Sequence, residues 1–180
     1  HRLNRDPYTV SRVPLDLRSV GARLFRSRET YAILFVLAVF NFVWQGSASF
    51  LPTFLRVEKS FTTFQATTAF ASIFLVGMFV TPIAGALCER WAPINLGLGA
   101  TGFGIAGLTT IVGTDSLVGL GAGLFVFAVG LTTIWPVMFV YLTDVLSRET
   151  IGSDFGALRA VYFAVGSLGP VYVGDRKSVV

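Results

Sequence analysis

Charged residues gather in clusters, and between them lie four stretches with no Asp, Glu, Lys or Arg: Thr30 to Leu55, Ser60 to Cys88, Trp91 to Thr114 and Ser116 to Thr143. A helix needs about 20 apolar residues to span a hydrocarbon core of about 30 Å, so each stretch predicts a bilayer-crossing helix. A fifth apolar run, Ala160 to Gly174, reads as a further span cut short. The runs are continuous, whereas the strands of a membrane barrel alternate over about ten residues. Helices also satisfy their own backbone polar groups inside lipid. The pattern predicts an all-α membrane protein with five transmembrane helices, a helical bundle over residues 30–174 behind a basic segment at 1–29.

Composition agrees with the pattern. The chain is 53% hydrophobic and 13% charged, against about 25% charged in an ordinary soluble domain. A soluble fold would have to bury every apolar run in one core, and 180 residues cannot wrap four or five wholly apolar helices in polar ones.

Charge sets the orientation. Residues 1–29 carry Arg2, Arg5, Arg12, Arg18, Arg23, Arg26 and Arg28 against Asp6, Asp16 and Glu29, a bias that places the segment on the cytoplasmic side. Alternation then puts Glu89-Arg90 and the connection from Asp144 to Arg159 inside, and Arg56 to Lys59 and Asp115 outside. Leu17, Val20, Leu24 and Phe25 share one helical face, as suits an amphipathic helix lying among headgroups before the first span. Orientation in the cell membrane accounts for the arginines, so the lipid bilayer is the expected partner and nucleic acid is not. Asp175 to Val180 interrupts the last apolar run and reads as a non-native tail.

Little material for catalysis is present. The one histidine is His1 and the one cysteine is Cys88, so neither a metal site, a cofactor nor an intramembrane enzyme is expected. Cys88 itself reads as a packing residue at a helix end.

At the end of the second span the chain reads Gly85-Ala86-Leu87-Cys88-Glu89-Arg90-Trp91. This resembles the loop signature of the major facilitator superfamily, G-x-L-x-D-R, with Glu89 replacing the aspartate and Ala92-Pro93-Ile94-Asn95 departing from its basic continuation. Arg148 to Arg159, with Gly152 and Gly156, is similar to the family's connection into a fifth span, and Gly166-Ser167-Leu168-Gly169-Pro170 to that span's glycine-proline bend. The resemblance covers roughly residues 15–174. It implies five helices of a six-helix half, the C-terminal one by the absent Met and the long basic lead-in, with the other half missing from the chain. The implied activity is secondary active transport of a small solute by alternating access. A non-transporting multi-span protein such as a sensor or a channel is the alternative, and an intramembrane enzyme the less favoured one.

The loop signature suggests a conformational latch. A glycine beside the turn allows close helix contact, and a carboxylate next to an arginine can bridge helix ends, so Gly85, Glu89, Arg90 and Asp144 are expected to form a cytoplasmic cluster with Arg90 near Asp144.

The resemblance further implies a cavity lined by the first and fourth spans. Asn41 and Gln45 lie one turn apart around Trp44, and buried amides need a partner, so they face either a solute or a neighbouring helix. Thr132, Thr133, Trp135 and Tyr141 surround Pro136 on the fourth span, as ligand contacts or as packing groups. Gln65, Thr67, Thr68 and Ser72 are weaker candidates. No ionisable residue lies at mid-membrane depth, so a coupling carboxylate is expected only in the missing half.

Overall fold

The computed structural model describes residues 28–146 and 151–175. The amphipathic segment expected over Leu17 to Phe25, the start of the connection at Arg148 and the tail at 176–180 lie outside the described residues. Six helices are described: α1 (Arg28–Val57), α2 (Thr63–Cys88), α3 (Pro93–Gly113), α4 (Leu117–Val145), α5 (Ile151–Gly166) and α6 (Leu168–Asp175). The first four are long and apolar enough to cross a membrane.

Local chemistry fixes the helix ends. α2 starts at Thr63 rather than in the apolar Ser60 region because Thr62 and Gln65 form a capping box: the Gln65 amide donates to the Thr62 hydroxyl at 3.2 Å, and the Thr62 amide to Gln65 Oε1 at 2.9 Å. Such reciprocal pairing satisfies two backbone donors that a helix start otherwise leaves open. Pro93 opens α3, where a missing N–H costs nothing. Ser116 caps α4, its hydroxyl accepting from the Gly119 amide at 3.0 Å.

The fifth helix departs from expectation. It begins at Ile151, well inside the polar connection, and breaks at Ser167 before resuming as α6. Asp154 sits in its first turn, where a carboxylate complements the helix dipole, and Leu158 and Tyr162 supply a buried face that packs on α1. Pro170 withdraws the donor that the Gly166 carbonyl would use, which accounts for the break.

Sequential order only partly sets the neighbours. Short connections predict that consecutive helices pack side by side, yet α2 and α3 meet only slightly across their turn. α4 packs extensively on both of them, and α1 packs chiefly on α5 and α6. Glycine makes the α3–α4 crossing close: a Cβ at Gly107 would lie 2.6 Å from the Phe127 Cα, and one at Gly130 would lie 2.5 Å from the Ala100 carbonyl oxygen. Gly119 and Gly123 have the four-residue spacing of a GxxxG pair but serve different contacts. Gly123 faces Ile111 and Gly107, whereas Gly119 faces the Thr114 and Ser116 hydroxyls of the preceding turn.

Two apolar cores result. One joins Ile33, Leu34, Leu37 and Ala38 to Leu142, Leu146, Leu158 and Tyr162. The other joins Leu51 and Leu55 to Ala66, Ile73, Ile111, Leu120, Leu124, Phe127, Ala128 and Leu131.

Candidate functional site

Between the two cores, α1, α2 and α4 enclose an open groove of about 430 Å³, within the range of roughly 300–1,000 Å³ common to small-molecule sites. Trp44 enters from α1, Leu131, Thr132 and Trp135 from α4, and Ile73, Phe74, Gly77, Met78, Thr81 and Pro82 from α2. Trp135 leans on the first core and Trp44 on the second.

Neighbouring rings hold the aromatic walls. Trp135 meets Phe40 edge to face at 5.3 Å, and Trp44 meets Phe74 in the same manner at 6.0 Å. Such pairs fix ring tilt beyond what area burial alone would do. Gly77 allows the close approach of α2 to α4, since a Cβ there would stand 2.7 Å from the Thr132 methyl. Pro82 and Pro136 lie inside α2 and α4. Having no N–H, they leave the carbonyls four residues earlier, at Met78 and Thr132, without their helical donors. Both of those residues line the groove.

Trp44, Thr132 and Trp135 therefore come together as candidate residues, and the other four lie elsewhere. Asn41 is 1% exposed and faces Gly166 of α5, with both amide atoms lacking a partner among the described residues. Gln45 is half-buried one turn further along. The Thr133 hydroxyl turns back to the Val129 carbonyl at 2.7 Å, and Tyr141 packs on the first core. The Thr132 hydroxyl likewise donates to the Ala128 carbonyl at 2.7 Å, a habit of threonine within helices. On α2 three of the four weaker candidates are absorbed locally: Gln65 caps the helix, Thr67 bonds the Thr63 carbonyl and Ser72 the Ala69 carbonyl, while Thr68 is exposed outside the groove lining.

Phe74, Met78, Thr81 and Pro82 were not anticipated. Their signal was available, since spacings of four, three and one residues after Phe74 place them on one helix face beside the small Gly77.

The expected cytoplasmic cluster is not assembled. Arg90 and Asp144 are both exposed and form no ion pair with each other among the described residues. Leu142 and Leu146 turn inward to the first core, which carries Asp144, about 200° around the helix from Leu142, onto the opposite face. Gly85 opens on empty space rather than on a helix, with nothing within 4 Å of a Cβ placed there.

An ion pair lies instead at the other end. Lys59 Nζ meets Asp115 Oδ1 at 2.8 Å and donates to the Val112 carbonyl at 3.1 Å, above the Phe54 ring. Ser60 follows in the left-handed region at φ 55°.

No curated protein and no solved structure matches the chain significantly. The sequence profile of the Major Facilitator Superfamily matches residues 3–170, which takes in all four long apolar helices, the Glu89-Arg90 turn and the fifth helix through its break as far as Pro170. The chain belongs to the major facilitator superfamily, a family of membrane transporters.

Proposed function

We propose that the chain serves secondary active transport of a small solute by alternating access, with the groove between α1, α2 and α4 as its contribution to the solute site. The observation that carries this reading is the meeting of Trp44, Thr132 and Trp135 with Phe74 and Met78 at the level of two helix-interior prolines. Groups from three helices converge there, with prolines at the point where each of two helices can bend. In this reading α5 and α6 together form a fifth span, residues 1–29 lie in the cytoplasm, and a second bundle of similar construction faces the groove. Asn41, Gln45, Thr133 and Tyr141 then act through helix packing. Gly85, Glu89, Arg90 and Asp144 form the latch in the alternative conformation, and in this one Arg90 and Asp144 make no ion pair among the described residues.

The test uses the single cysteine. With Cys88→Ala as background, Met78→Cys is exposed to a membrane-impermeant thiol reagent from one side of proteoliposomes and then from the other. Alternating access expects labelling from both sides. Labelling from one side only, under every condition tried, counts against it.

A further inference from the structure

Resting on the groove as a solute site, we infer that its ligand is an uncharged, flat aromatic molecule carrying a hydrogen-bond donor, and that the donor is received by the backbone carbonyls of Met78 and Thr132. Three kinds of observation lead there. The walls are aromatic rings and alkyl groups: Trp44, Phe74 and Trp135 with Ile73, Met78 and Leu131. No Asp, Glu, Lys or Arg lines the groove, so this bundle offers a bound ion no counter-charge for the water it gives up. The faces of aromatic rings attract a cation, yet that attraction is smaller than the cost of burying an unpaired charge.

Hydrogen bonding gives the polarity of the ligand. The Thr132 hydroxyl has already spent its proton on the Ala128 carbonyl. Pro82 and Pro136 free one carbonyl each, at Met78 and Thr132, on the two helices that face one another across Gly77. A helical carbonyl without its donor is an acceptor seeking a proton, and in an apolar setting a ligand hydroxyl or N–H supplies one. The two prolines therefore act as specificity devices as well as bends.

The test uses the chain in lipid nanodiscs with Trp91→Phe, which leaves Trp44 and Trp135 as its two tryptophans. Four nitroaromatic quenchers share one ring: para-nitrobenzyl alcohol, its methyl ether, para-nitrobenzylammonium and para-nitrobenzoate. The alcohol is expected to quench saturably and at least about tenfold more tightly than either ion, because the groove has no counter-charge. The ether, which cannot donate, is expected to bind about fivefold more weakly, the worth of one neutral hydrogen bond. Phe74→Ala weakens all four probes.

Pro82→Ala and Pro136→Ala restore the missing N–H groups and lengthen a regular helix, so folding is retained. Each is expected to weaken the alcohol while leaving the ether unchanged. Either ion binding as tightly as the alcohol, with sensitivity to Phe74→Ala, overturns the ligand class and leaves the site standing. Equal effects of the proline variants on alcohol and ether, or no effect, overturn the role of the carbonyls. Quenching by no probe that saturates and responds to Phe74→Ala overturns the groove as a solute site altogether.

Discussion

Lys59 and Asp115, 56 residues apart in sequence, join the turn between α1 and α2 to the turn between α3 and α4 through a 2.8 Å ion pair. The two ends of this bond differ. The Lys59 side chain is 7% exposed and that of Asp115 93%, so the lysine stem is packed while its partner stands in solvent. The ammonium also holds the Val112 carbonyl at the C-terminal end of α3, where the helix dipole favours a cation, and lies over the Phe54 ring.

Lys59→Met should therefore destabilise the bundle more than Asp115→Asn. The lysine variant loses the dipole contact, the ring contact and the pair, together about 1 to 2 kcal/mol. The aspartate variant loses only the screened pair. Unfolding in mixed micelles at low and high salt separates the two, because the effect of Asp115→Asn should fade as salt rises while that of Lys59→Met should persist in part through its packed ring contact.

The α3–α4 crossing sets a second expectation. Gly107→Ala and Gly130→Ala each drive a methyl into the backbone of the facing helix and should cost about 1 to 3 kcal/mol, the usual range for overpacking. Gly99→Ala and Gly102→Ala meet open space and should be neutral or slightly stabilising through helix propensity. Reversible unfolding of the four variants in one detergent tests the contrast, and similar losses at all four sites would contradict it.

The long helices were legible because lipid imposes a length and forbids charge, and both demands appear directly in the residues. Their ends moved by a few positions where caps intervened, as at Thr62 and Gln65. Helix facing was much less legible. These helices are apolar on nearly every side, so no polar stripe marks the inward face as it does in a soluble bundle. Asn41 illustrates the result: its amide was read as facing a solute or a helix, and the structure turns it to Gly166 of α5. The groove was half legible for the same reason. Trp44, Thr132 and Trp135 could be read from their own helices, but the α2 wall depends on Gly77 allowing α2 to reach α4.

The separation of Arg90 from Asp144 yields a test of the proposed latch. With both side chains exposed and unpaired among the described residues, Arg90→Ala and Asp144→Asn should each change the stability of this conformation by less than about 0.5 kcal/mol, as for surface sites away from special contacts. If the pair closes in the other conformation, each variant should alter the ratio of reagent access to Met78→Cys from the two membrane sides, and the double variant should do no more than either alone. Additive effects on that ratio would show that the two residues act independently.

Asn41 and Gly166 lead to the last expectation. The amide is buried with neither atom partnered, at a crossing so close that a Cβ at Gly166 would overlap it. A buried polar group in that condition costs about 1 to 3 kcal/mol. Asn41→Leu keeps similar bulk and removes the cost, so the variant should unfold at a higher temperature. Gly166→Ala should lower it, because the added methyl must displace the Asn41 side chain or push α5 away from α1. The Gly166 carbonyl, denied its helical donor by Pro170, belongs to the residue the amide faces and is an acceptor it could reach if α5 shifts. Combining Asn41→Leu with Pro170→Ala separates these contributions. Independent sites would give a double variant equal to the sum of the singles, whereas an exchange between the amide and that carbonyl would make the double variant depart from the sum by more than about 0.5 kcal/mol.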